Sequence, residues 1–61
     1  MNILEALIEV QNGKRAYYVL MGERFYLQKI TCTMGNSKWI EIRINGVSIS
    51  QDDLTQIYEV E

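Results

Sequence analysis

The 61-residue chain has no histidine and one cysteine, and those two scarcities remove whole classes of chemistry. Nucleophilic catalysis needs a hydroxyl or thiol with a positioned base, and Ser37, Ser48 and Ser50 lack the imidazole that usually serves. Cys32 alone can form no intramolecular disulfide and, without histidine, leaves too few ligands for a zinc site. A reducing cytosol suits this usage. No apolar run approaches the roughly 18 residues of a membrane span. Met1 to Gln11 also carries two glutamates where a signal peptide would begin basic. A cytoplasmic protein with no membrane partner is therefore expected. No excess of either charge is present either: six basic and eight acidic residues give a net −2. That is neither the basic stripe of a nucleic-acid binder nor the acidic density of a nucleic-acid mimic, so no nucleic-acid polymer is expected as partner.

Large aromatic core residues are few, with one Trp and one Phe, although 48% of the chain is hydrophobic. A chain of this length buries only about 60% of the surface its unfolded form exposes. The expectation is one domain over residues 1–61, a single layer of helix on sheet, with homo-oligomerisation as a natural way to cover the sheet's outer face.

What is present reads as α+β: an N-terminal amphipathic helix packed on a four- to five-stranded antiparallel sheet. Ile3, Leu4, Leu7 and Ile8 suggest the helix's apolar stripe. Asn2 and Glu5 have the spacing of a capping box, and Asn12-Gly13 supplies a stop, with Lys14-Arg15 near the last carbonyls. Arg15 to Met21 is almost wholly apolar or aromatic, as in a strand covered on both faces. Gly22-Glu23 is expected as a two-residue hairpin loop, returning the chain as Arg24 to Thr33. In that strand the apolar parity switches around Gln28-Lys29, which suggests a bulge. After a turn over residues 34–37, Ile40, Ile42 and Ile44 alternate with Trp39, Glu41 and Arg43, so the isoleucine row should face the core. Asn45-Gly46 is a strong hairpin signal ahead of Val47 to Ile49. Ser50 and Asp53 then resemble a capping pair for one helical turn through Leu54, and Gln56 to Val60 suits a last strand.

Nothing in this inventory assembles a catalytic centre or calls for a cofactor or metal, so a non-enzymatic protein is expected. Asp52-Asp53 reads as helix-start chemistry and not as an acid/base pair. Cys32 reads as a small half-buried apolar residue. The glycines at 13, 22, 35 and 46 form no phosphate-cradling loop; a helix stop and turns explain them. The remaining set is aromatic plus basic. Tyr17, Tyr18, Tyr26, Trp39 and Tyr58 are interleaved with Arg15, Arg24, Lys29, Lys38 and Arg43. Aromatic faces stack on bases and cations hold phosphates, so a subset on one wall would suit a nucleotide. The ligand-binding candidates are Arg15, Tyr17, Tyr18, Arg24, Tyr26, Trp39 and Arg43. The alternative use of the same residues is that tyrosines line the sheet while the charges solvate it.

Both ends of the chain carry a family resemblance. Ile3-Leu4-Glu5-Ala6-Leu7 through Val10 and Gly13-Lys14 is similar to F-x-E-A-L-x-x-L-x-x-G-K-x-V, the opening of the small phage proteins best known as type-two Thoeris anti-defence sponges. Asp52-Asp53-Leu54 leading to Tyr58-Glu59-Val60 resembles their acidic, leucine-containing turn followed by an aromatic, Glu and Val. The middle of the chain does not align. The resemblance implies a helix on an antiparallel sheet, a homo-oligomer in a host bacterial cytosol, and sequestration of a cyclic nucleotide immune signal without degrading it. One relative is described as an anti-CRISPR, so the fold does not fix the target. Small size, absence of a catalytic set and a nearly neutral surface suit an alternative: inhibition of a host or defence protein by direct binding through the Trp39 face or a strand edge. The family's basic pair after G-K is Tyr17-Tyr18 here, its next tryptophan is Met21, and its late tryptophan is Tyr58. Trp39 and the tyrosines would then have to supply the stacking.

Overall fold

The computed structural model describes all 61 residues. Its first element is helix α1 (Ile3–Gln11). The helix starts where it does because its first free amides are claimed locally: the Glu5 amide donates to Asn2 Oδ1 at 2.9 Å, and the Asn2 amide donates to Glu5 Oε1 at 3.0 Å. It stops in a paired carbonyl motif, the Lys14 amide donating to Glu9 O and the Gly13 amide to Val10 O, with Gly13 at φ 87°. The stripe it buries is not Ile3, Leu4, Leu7 and Ile8. Ile3 and Ala6 are buried and Leu7 and Val10 pack beside them, while Leu4 and Ile8 stay 68% and 59% exposed. Packing distance decides this. Ala6, on the helix, and Ala16, on the sheet, are both almost fully buried, and such small side chains allow the helix to approach closely.

Strands β1 (Ala16–Leu20), β2 (Glu23–Met34), β3 (Ser37–Ile44), β4 (Val47–Ser48) and β5 (Glu59–Val60) form one antiparallel sheet in the order β4-β3-β2-β1-β5. The short helix α2 (Gln51–Leu54) intervenes before β5, which is confined to two residues. The first hairpin turns one residue earlier than Gly22-Glu23. Leu20 pairs with Glu23, so Met21 and Gly22 form the loop with φ 52° and 80°. Both loop residues then take positive φ, in one of the two-residue turns whose twist matches that of the flanking strands. Asn45-Gly46 makes the same turn at φ 49° and 83°.

Strand β2 has no bulge. Its register runs unbroken, residues 23–26 against β1 on one edge and residues 27–34 against β3 on the other. The parity change at Gln28-Lys29 arises because the strand leaves the core. Helix α1 packs on β1, β2 and β5, and past Leu27 the β2–β3 ribbon runs on as an uncovered arm, giving a molecule 40 × 22 × 16 Å. The isoleucine row records where the cover ends: Ile44 is buried, Ile42 half-buried and Ile40 55% exposed. Hence the row is core at one end only. The core itself joins Ile3, Ala6, Ala16, Tyr18, Leu27, Ile44 and Tyr58. The two ends of the chain meet there: the Tyr58 amide donates to Met1 O at 2.7 Å, and the Met1 ammonium donates to Tyr58 O at 2.9 Å. No helix is long and apolar enough to cross a membrane.

Candidate functional site

The sheet's pleat divides the seven sequence-selected residues between two faces. On the face away from α1, Tyr17 lies opposite Tyr26, with ring centroids 5.4 Å apart and planes at 52°. Each ring is capped by an arginine: the Arg15 guanidinium lies 4.4 Å from the Tyr26 centroid, and that of Arg24 lies 4.4 Å from the Tyr17 centroid. Glu61 ties the group together. It accepts from the Tyr26 hydroxyl at 2.7 Å and from Arg15 Nη1 at 3.4 Å, and Arg24 Nη1 lies 3.5 Å away. Four of the selected residues therefore do converge, but they satisfy one another. No cavity opens over them, and the carboxylate of Glu61, which sequence reasoning did not select, balances part of their charge.

Trp39 and Arg43 share that face farther along β3, where Glu41 between them takes both. Trp39 Nε1 donates to Glu41 Oε1 at 3.2 Å, while Arg43 donates through Nε at 3.0 Å and Nη2 at 2.6 Å to Oε2. Those bonds, the Arg43 contribution foremost, hold the Glu41 carboxyl below the usual carboxylate range. No hydrogen bond or ring contact links this row to the tyrosine pair. An open hollow of about 370 Å³ runs past Trp39 onto Thr31, Lys38 and Ile40.

Tyr18 is on the opposite face, and it leads to the built feature of the molecule. A cavity of about 270 Å³ lies between the sheet and the segment from β4 to α2, lined by Tyr18, Phe25, Ile44, Asn45, Val47, Ser48, Ser50 and Asp53. The Phe25 ring stacks on Tyr18 at 5.0 Å and 7°, and Tyr58 meets Tyr18 edge-on at 5.4 Å. Asp53 stands against this aromatic wall with 9% of its surface exposed. Its Oδ1 accepts from the Tyr18 hydroxyl at 2.6 Å; its Oδ2 accepts from the Ser50 amide at 2.8 Å and the Ser50 hydroxyl at 3.2 Å. The Tyr58 hydroxyl donates to the Asp53 carbonyl at 2.7 Å.

Electrostatics at Asp53 is a contest with a clear winner. Burial alone would raise its pKa, but the bonds from the Ser50 amide, Tyr18 and the Ser50 hydroxyl outweigh burial and hold it below the usual carboxylate range. Burial, reinforced by the hydrogen bond and charge of Asp53, pushes Tyr18 up to about 12. Burial and the same charge push Tyr58 up to about 12. At neutral pH the cavity thus contains an ionised carboxylate that can only accept and a hydroxyl that stays protonated. No cation pairs with this carboxylate; the four salt bridges of the chain all lie elsewhere.

Of the cavity's lining, the sequence reading selected only Tyr18. Asp53 is legible as a cap and does close the start of α2, its carboxylate taking the Ser50 amide while its own amide donates to the Ser50 carbonyl at 3.1 Å. Its second bond, to a tyrosine 35 residues away, has no local signal. No three His, Cys, Asp or Glu side chains converge in an arrangement that could hold a metal ion. Comparison with family models, with curated proteins and with solved structures finds no match to this chain.

Proposed function

We propose that this chain is a non-enzymatic binding protein that sequesters a cyclic nucleotide signal by holding one of its bases in the Tyr18–Phe25–Asp53 cavity. The observation that carries the reading is the buried carboxylate without a cation, set beside an aromatic wall in an open cavity. A ring with N–H groups supplies what that site lacks: a planar face for the apolar wall and a donor for the one carboxylate lone pair still open, on Oδ1. The phosphates would remain at the mouth, because no basic side chain lines the cavity. The resemblance of the helix and the acidic turn to phage anti-defence sponges supports the same class of ligand, and α2, which carries Asp53, is part of that resemblance. This moves the proposed contact away from Arg15, Tyr17, Arg24 and Tyr26, whose rings and charges are already engaged with one another.

The test is direct. Purified protein is incubated with cyclic di- and trinucleotides and cyclic ADP-ribose isomers, washed, denatured and chromatographed. An intact nucleotide should be recovered, and Asp53→Asn should reduce the affinity at least about tenfold, the cost of losing one charge-assisted hydrogen bond. Failure to retain any member of the panel would refute the reading.

A second reading, direct inhibition of a host or defence protein, is favoured by one observation: Trp39 and Met34 are exposed at the end of an arm that no other element of the chain covers. A stoichiometric protein partner lost on Trp39→Ala, with no nucleotide retained, would select it.

A further inference from the structure

Strand β3 uses one of its two edges fully and the other hardly at all. Toward β2 it is paired along its whole length, from Ser37 to Ile44, but its far edge meets β4 only at Arg43 and Ile44. The Ile49 amide still donates to the Ile42 carbonyl at 3.3 Å, and there the chain leaves the edge for α2. That bond fixes which backbone groups are left over. Alternate residues of an antiparallel strand turn both N–H and C=O to the same edge, so with Ile42 aimed at the far edge, Ile40 and Lys38 are aimed there too. No strand of the chain lies beside them. Their amides and carbonyls recur about every 7 Å, the spacing that another extended backbone reproduces. Nothing blunts this edge, since the chain has no proline and the register of β3 on β2 has no bulge. An open hollow of about 370 Å³ lies against the same stretch, lined by Lys38, Trp39 and Ile40 together with Thr31.

The side chains along the edge say what sequence such a strand would carry. Four of the six basic residues pair within the chain, Lys14 with Glu9, Arg15 and Arg24 with Glu61, and Arg43 with Glu41. The two without an ion pair, Lys29 and Lys38, are both on the α1 side of the arm, flanking the cross-strand pair Thr31–Ile40. That side therefore calls for carboxylates. On the other side Glu41 already takes Trp39 and Arg43, so a neighbouring strand needs apolar side chains beside Trp39. Lysine at an edge also deters pairing with another edge of like charge. We propose that β3 over residues 37–42 receives an extended segment of another protein as an added strand, acidic toward the α1 side and apolar toward Trp39. The proposal depends neither on a nucleotide at Asp53 nor on inhibition of the partner.

The isotope-labelled full chain is titrated with a capped synthetic peptide of alternating glutamate and valine, and NMR reads chemical shifts and amide exchange. Saturable binding is expected, with the Lys38 and Ile40 amides protected from exchange only when the peptide is present. A lysine–valine counterpart should bind at least about tenfold more weakly, and Lys38→Glu should narrow that preference. Ile40→Pro removes one outward donor while leaving the ladder to β2 intact, a place where a strand tolerates proline, and should weaken binding at least about tenfold. Thr31→Pro makes the matching change on the free edge of β2 and should leave binding unchanged. Circular dichroism reports folding. Should Ile40→Pro unfold, N-methylation of the peptide decides, because blocking one of its two alternate sets of amides should abolish binding and blocking the other should not. Absence of saturable binding, equal affinity for the lysine peptide, or indifference to both Ile40→Pro and N-methylation would overturn the proposal. So would loss on Thr31→Pro in a folded chain, or Lys38 and Ile40 amides already protected without peptide, as when a second copy occupies the edge.

Discussion

Tyr18→Phe removes one oxygen from the core and isolates the consequence of the Asp53 arrangement. The aromatic body remains, so the stacking on Phe25 and the edge contact with Tyr58 persist, and the volume change is minimal. What is lost is the 2.6 Å bond from the Tyr18 hydroxyl to Asp53 Oδ1, in a site where the carboxylate is 9% exposed and has no cation. A hydrogen bond to a charged group contributes about 1.5–3 kcal/mol, so a loss of about 2 kcal/mol at pH 7 is expected. For a domain of this length, whose total stability is on the order of 3–9 kcal/mol, that is a large fraction. With the usual unfolding entropy per residue it lowers the melting temperature by about 15 °C.

The pH dependence of that loss separates the Tyr18–Asp53 bond from a generic packing defect. Asp53 has a depressed pKa in the folded chain. Its contribution is therefore present above the unfolded carboxylate pKa and disappears as pH falls through the folded value. Once Asp53 is protonated the bond becomes neutral, worth about 1 kcal/mol, so the difference between wild type and Tyr18→Phe should shrink to about half in acid. In alkali the sign reverses. Tyr18 and Tyr58 are both raised to about 12 from 10.0, so unfolded chains ionise first and stability falls as pH rises from about 10 towards 12. The variant should lose less over that interval. Urea denaturation followed by circular dichroism at acid, neutral and alkaline pH measures all three. A difference at pH 7 below about 0.5 kcal/mol, or one that does not change in acid, would refute the reasoning.

Met21→Gly should stabilise the chain by about 0.5–1 kcal/mol, because Met21 is held at φ 52° while 94% exposed, with a left-handed backbone and no packing in return; denaturant midpoints measure it. Ala6→Leu should destabilise by about 1–3 kcal/mol, since Ala6 has no exposed surface and the added atoms must push the helix off the sheet; thermal unfolding reads it, with Leu4→Ala expected to cost far less.

The legible parts of this fold are the ones whose causes are local. The Asn2–Glu5 box, the Gly13 stop, the Asn45-Gly46 turn and the Ser50–Asp53 pair each depend on a few adjacent residues, and each forms. The features missed depend on something distant. Counting apolar residues selected Leu4 and Ile8 for the helix's buried stripe. The choice instead goes to Ala6, whose worth is visible only once a sheet must come close to it. A parity switch at Gln28-Lys29 implies a bulge only where a strand keeps one environment along its length. Strand β2 has two environments, beneath α1 and beyond it, and a change of cover shifts the apolar pattern as effectively as an inserted residue would.

The site follows the same division, and this explains why its central residue was assigned half a role. Within its own segment Asp53 is fully accounted for as a cap, because Oδ2 alone takes both the Ser50 amide and hydroxyl. Capping leaves Oδ1 free. In an exposed helix start that oxygen would face water, whereas here the sheet brings Tyr18 to it and turns a surface cap into a buried anion with a depressed pKa. The converse holds on the other face. Arg15, Tyr17, Arg24 and Tyr26 have the composition of a nucleotide site, but Glu61, brought alongside by the pairing of β5 with β1, spends their charge within the chain. Composition identifies which groups could bind; the partners delivered by the sheet decide which remain free to do so. That criterion favours the cavity at Asp53, where a charge is buried without a counter-charge, over the tyrosine face, where both arginines reach one carboxylate and each covers a tyrosine ring.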